Sequence, residues 1–173
     1  LHRVVRRQRR MCIRDSVYEM RWLHRGDYIK DYLTVWYTGR GGSPMERLHA
    51  FSSWTADAVY NAWLVNGDTG FMRFMYPLLL DDYRVWENEK RTKDGLFWQR
   101  AVSDGREESA SGARDPKVRN RRPTINSYMY GNALALSKMA ALFGDAEHEE
   151  RFSQKADTLR RLVQQKLWNP EHR

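Results

Sequence analysis

Two Gly–Asp pairs, Gly67-Asp68 and Gly144-Asp145, stand 77 residues apart, each between two long runs of helically spaced apolar residues. Glycine takes the left-handed conformation that ends a helix, and the aspartate after it can accept the free N–H groups that open the next one. Each joint therefore reads as the tip of an antiparallel helix hairpin. The run before a joint carries a wide stripe: Phe51, Trp54, Ala58, Ala62 and Val65, broadened by Val59, Tyr60 and Trp63, and then Tyr128, Met129, Ala133, Leu136, Met139, Ala140 and Phe143. The run after it is more amphipathic: Phe71, Phe74, Met75, Leu78, Leu79, Tyr83 and Trp86, and then Phe152, Ala156, Leu159, Leu162, Val163 and Leu167. A wide stripe suits an inner helix covered on several sides, and a narrow one an outer helix. Two such hairpins are what successive units of a helical toroid or solenoid supply.

The remaining elements follow from punctuation. Tyr28, Ile29, Tyr32, Leu33 and Trp36 predict a helix over 27–37, and Gly39, Gly41, Gly42, Ser43 and Pro44 end it. The second helix is expected from Met45 or Arg47 to Val65. The third covers 69–90, with Pro77 forcing either a late start or a kink. Lys93-Asp94-Gly95 reads as a turn, and Leu96–Gln99 as one strand of a small hairpin. Residues 103–124 show no period, as in a functional or disordered loop. Thr124, Asn126 or Ser127 can cap the helix that returns at Ile125, with Pro123 fixing the approach. Asn169-Pro170 closes the last one. The fold class is all-α, built from antiparallel helix hairpins, with a small irregular or β-hairpin insertion around 94–124.

The net charge of +8 suggests an anionic partner at first sight, but six Arg against one Asp fall within residues 1–16. In that segment Met11-Cys12-Ile13-Arg14-Asp15-Ser16 resembles the translation of a transposon end used to tag DNA for sequencing. Residues 1–16 are accordingly read as a non-native segment, and 17–173 as a partial catalytic domain cut at both ends. The nearly neutral remainder gives no argument for nucleic acid. The single Cys lies in the foreign segment, and no pair of histidines has metal-ligand spacing, so no metal or cofactor is expected. No run of eighteen apolar residues exists, so no membrane span is expected. Oligomeric state is left open, and so is compartment, leaning toward a bacterial periplasmic or extracellular location.

The most chemically loaded stretch is 103–109, where Asp104, Glu107 and Glu108 stand beside Arg106. Cleaving a glycosidic bond needs one carboxyl to protonate the leaving oxygen and a second to serve water or attack. Burial and neighbouring like charge raise a carboxyl pKa, as an acid near neutral pH requires. Downstream, Asn126, Tyr128 and Tyr130 at an inner helix end offer the paired donors and acceptors that sugar hydroxyls need. Trp54 and Asp57 lie one turn apart on the second helix. Trp98 is a candidate stacking platform, and Arg122 a candidate anchor for Glu107 or Asp104.

The order of WTADA (54–58), DGLFWQ (94–99), DGREES (104–109), RPTINSYMYGNALAL (122–136), LFGD (142–145) and LWNP (167–170) resembles six-hairpin (α/α)6 glycoside hydrolases. The kin are the mannosylglycerate-hydrolase-like and family 63 α-glucosidase-like enzymes, related to trehalases. The resemblance, over roughly 18–173, implies a carbohydrate substrate and an inverting mechanism. It implies that Glu107 stands where the group's general-acid Asp is usual, with Glu108 and then Asp104 as alternatives. It implies also that the base lies in a later hairpin, so that the chain carries the acid half alone. A non-catalytic α-solenoid binding module, or a toroid of another reaction class such as a lyase or epimerase, fits the same helix pattern.

Overall fold

The structure, a computed structural model, describes residues 16–23, 26–39, 44, 48–104, 118–168 and 171. A helical piece at 16–20 precedes five longer helices: α1 (Asp27–Thr38), α2 (Thr55–Asn66), α3 (Thr69–Lys90), α4 (Pro123–Phe143) and α5 (Ala146–Lys166). Between α3 and α4, β1 (Trp98–Arg100) pairs antiparallel with β2 (Arg119–Arg121), Gln99 opposite Asn120. The joints behave as their chemistry dictates. Gly67 and Gly144 take φ of 67° and 72°; the Asp68 carboxylate accepts the Phe71 N–H at 2.9 Å, and that of Asp145 the His148 N–H at 3.2 Å. Each cap has further partners, Lys30 for Asp68, and the His148 ring and then the Tyr76 hydroxyl for Asp145, which hold both carboxyls below the usual aspartate range.

The inner helix α4 packs along α5 and also meets α2, α3 and β1. Its buried set runs through Ile125, Met129, Ala133, Leu136 and Ala140, and Ala135 and Ser137 widen it. On α3 the buried residues are Met72, Met75, Tyr76, Leu79, Tyr83 and Trp86, stepping by three and four. Phe74, placed on that stripe by spacing alone, is 45% exposed, because the face turned toward the core is the one through Met72 and Tyr76. Val65, expected on the inner stripe of α2, is exposed as well. Pro77 lies within an unbroken α3 on its exposed side, so the late start does not occur.

Two boundaries depart from expectation, and both have tertiary causes. The second helix starts at Thr55; Leu48–Ala50 is a 3-10 turn and 51–54 is non-helical, while 45–47 lie outside the described residues. The Ser52 N–H donates to the Ser103 carbonyl at 3.0 Å, which draws this segment off the helix path. The N-cap, Trp54, has no capping side chain. Asn132 of α4 supplies it from across the core: its Oδ1 accepts the N–H groups of Ala56 (3.0 Å) and Asp57 (3.3 Å), and its Nδ2 donates to the Ser53 carbonyl (3.0 Å). Helix α4 begins at Pro123, whose missing N–H needs no partner at a first position, and its N-cap Arg122 makes no side-chain cap bond. Asn126, expected as a possible cap, is fully buried and spans instead to β1. It accepts the Phe97 N–H (2.8 Å) and donates to the Phe97 and Arg122 carbonyls (2.9 and 2.8 Å). The 103–124 stretch accordingly contains β2 and the start of α4.

The turn at 92–96 needs its glycine. Gly95 has φ 87°, and a Cβ there would stand 2.9 Å from Leu162 of α5. Asp94 beside it takes Thr92, Arg121 and Lys166, which hold its carboxyl down to about 2.

Replacing Asn132 by Ala removes the side-chain partner of three main-chain groups, two of them buried. We expect a loss of roughly 2–5 kcal/mol in urea unfolding, given about 1–3 kcal/mol per orphaned group before relaxation. A loss within about 0.5 kcal/mol, the range of ordinary surface changes, would show that the start of α2 is secured otherwise.

Candidate active site

The N-terminal ends of α2 and α4 meet, and a cleft of about 430 Å³ opens beside them. Trp54 and Asp57 of α2 form one wall, and Ser127, Tyr128 and Gly131 of α4 the other. Tyr18 and Glu19 of the 16–20 segment close a third side. The Trp54 and Tyr128 rings lie 4.4 Å apart between centroids, tilted by 57°. Asn132 fixes this geometry, since it pins the backbone on both sides of Trp54. Gly131 leaves the floor open: a Cβ there would sit 3.8 Å from the Asp57 Cβ and Cγ, filling the space beside the carboxylate.

Burial is the main influence on Asp57 and lifts its carboxyl above the ordinary aspartate range; Asn61, Lys138 and Arg21 oppose the lift without cancelling it. A half-buried carboxyl lining the same cleft as two aromatic rings can exchange hydrogen bonds with sugar hydroxyls, while the rings meet the apolar C–H faces.

A second cluster lies at the foot of the charged loop. Arg122 donates through Nε to Asp104 Oδ2 at 2.8 Å, with side chains only 5% and 0% exposed. The Ser52 hydroxyl donates to the other oxygen of Asp104 at 2.5 Å. Asp104, at the end of the 3-10 turn Ala101–Ser103 that follows β1, thus ties that turn to the start of α4 and to the segment that leads into Trp54. Glu107 and Glu108 lie outside the described residues.

The cleft gathers Trp54, Asp57 and Tyr128 from the sequence-expected set. Asn126 lies beneath the helix start with its amide committed to main chain. Tyr130 is half-buried against the core and does not line the cleft. Trp98 does not line it either; Lys90 Nζ and the Arg119 guanidinium stand 4.1 and 4.5 Å from its ring centre. Tyr18, Glu19, Ser127 and Gly131 line the cleft and were not legible beforehand. Asn132 was missed too, although an amide in the middle of an apolar stripe is a signal, since a buried polar group needs partners.

Paired inner and outer helices, with an aromatic, carboxyl-bearing cleft at the inner N-termini, make the chain a segment of an all-α toroid. A sequence profile of the mannosylglycerate hydrolase MGH1-like glycoside hydrolase domain matches residues 15–173, and the chain belongs to that family. Among solved structures, a protein named "Sialidase" is similar at a TM-score of 0.87 and 48% identity, over 92% of this chain. The chain spans 15% of the length of that protein. No curated protein matches. No helix among the described residues is long and apolar enough to cross a membrane.

Two variants test these assignments. Asp104→Ala removes the buried carboxylate that the Arg122 Nε engages, and should cost on the order of 3–5 kcal/mol in denaturant unfolding, as breaking a buried pair does. Asp57 has the opposite sign. A carboxyl lifted in the folded state binds its proton more tightly there, so stability falls as pH rises from the ordinary aspartate value through the lifted one. Asp57→Asn should therefore stabilise the chain at neutral pH and lose that advantage below the ordinary aspartate range; an unchanged or lower midpoint at pH 7 would overturn the reading.

Proposed function

We propose that the chain is the acid-bearing part of an inverting glycoside hydrolase that cleaves oligosaccharides or glycosides. The observation that carries this reading is the cleft in which Trp54, Tyr128 and the lifted carboxyl of Asp57 converge at the inner helix ends. Membership of a glycoside hydrolase family supports the reaction class. Trp54, Asp57 and Tyr128 bind the sugar in this reading. Asn126 holds the helix start that presents Tyr128.

The leaving-group acid is assigned to Glu107, with Glu108 next in order. Asp104 ranks last because its side chain is fully buried, with its two oxygens held by Ser52 and Arg122. Arg122 then acts as the strut that fixes the root of the acid loop. Inversion requires a base across the sugar ring, about 6.5–9.5 Å from the acid, with a water between. That base is assigned to a later hairpin of the whole protein.

The test uses the complete protein on a panel of α-glucosides and mannosides. Glu107→Gln should lower kcat by roughly 10²–10⁴-fold, the usual worth of a positioned acid, while sugar-dependent quenching of Trp54 fluorescence persists. Near wild-type turnover moves the acid to Glu108. Loss of the quenching signal in Asp57→Asn alone would support the binding role, and quenching unaffected in both Asp57→Asn and Tyr128→Ala would remove the cleft from the mechanism.

A further inference from the structure

We propose that the groove between α3 and α5 is a binding site for a small oxyanion, a carboxylate, phosphate or sulfate group. The groove holds about 280 Å³ and shares no residue with the Trp54 cleft. Tyr83, Glu87 and Arg91 reach it from α3, Gly95 from the turn, and Arg151 and Lys155 from α5.

The charges do not balance. Glu87 pairs with Lys155 and, at 3.3 Å, with Arg91. Arg151 forms no ion pair among the described residues, so three cations face one carboxylate. A concave surface with surplus positive charge favours an anion over a cation.

Tyr83 supplies the second, independent observation. It is 2% exposed, and its ring is held edge-on against Phe152 and Phe97, with centroids at 5.1 and 6.3 Å. Its hydroxyl is near enough to Glu87 and Arg91 to feel both charges, and Tyr83 lines the groove. Burial pushes its pKa far up, so it remains a neutral O–H donor wherever an oxyanion is charged. A hydroxyl at the groove wall can donate to an acceptor oxygen held there. Arg151 then brings the charge and a planar fork of donors, and Tyr83 a directed neutral donor. Gln154 and Thr158 add polar groups at the rim.

The lining also argues against a neutral sugar. Its two rings, Tyr83 and Phe97, are both buried and packed against other rings, so neither offers a face for stacking. The volume is several times the roughly 30 Å³ that one water occupies in the liquid, which leaves room for an oxyanion and a small substituent or hydration waters.

The test is a titration of the chain with inorganic phosphate at constant ionic strength, followed by backbone amide NMR. Saturable shifts should appear at Gly95 and Thr158. Arg151 is exposed, so Arg151→Gln leaves the core alone and should weaken binding about tenfold, the worth of one charge-assisted contact. Tyr83→Phe keeps the ring packing and should weaken binding at least about threefold, the lower range for one hydrogen bond. Glu87→Gln removes the competing carboxylate and should tighten binding. Shifts that fail to saturate, that persist unchanged in Arg151→Gln and Tyr83→Phe, or that are confined to the Arg-rich residues 1–15 would overturn the site.

Discussion

Two buried asparagine side chains on α4 hold the rest in place. A main-chain N–H or C=O taken out of water must find a partner; the segment before α2 has no regular ladder to provide one, and Phe97 stands just ahead of the β1–β2 ladder. Asn132 and Asn126 provide it from the side, each offering an acceptor and a two-proton donor in one planar group. Asn132 opens α2 in trans, and Asn126 sews β1 to the root of α4. An apolar residue at either position would fill the same space and leave the main chain unpaired. The inner helix is thus a structural template as well as a packing surface.

The carboxylates divide by environment. At the hairpin joints, Asp68 and Asp145 face free N–H groups and a second donor, so their charge is stabilised and they serve as caps. Asp104 is buried, yet fully engaged by Arg122 and Ser52, which makes it a strut. Asp57 is half-buried without an ion-pair partner among the described residues, and its carboxyl is lifted. Such a group costs stability in the empty protein and gains it when a ligand supplies hydrogen bonds, which agrees with the binding role proposed for it.

Aromatic residues divide in the same way. Trp86 is sealed in the core, whereas Trp54 and Tyr128 meet beside open space. Trp98 binds neither way; it serves Lys90 and Arg119 as a cation-accepting surface beside the small sheet. One residue type therefore has three uses in one short chain, set by what the neighbouring elements bring to it.

The sequence by itself determined the helix hairpins and their joints. Spacing by three and four, a left-handed glycine and a capping aspartate are all local properties, and α1, α3 and α5 follow them closely. The turn at Lys93–Gly95 and the short strand were legible for the same reason. Trp54, Asp57 and Tyr128 were legible as aromatic and polar groups on the inner helices, and family resemblance added the order of motifs. Only the tertiary structure decided that α2 starts at Thr55, that Asn126 turns inward to β1, and that Asp104 belongs to Arg122 and Ser52. It alone set Glu19, Ser127 and Gly131 around the cleft and kept Trp98 and Tyr130 off it. The physical reason is range. A helix repeat or a cap is settled within four residues, while the partner of a buried polar group can stand anywhere along the chain, as Asn132 stands 76 residues from the Ala56 N–H that it satisfies.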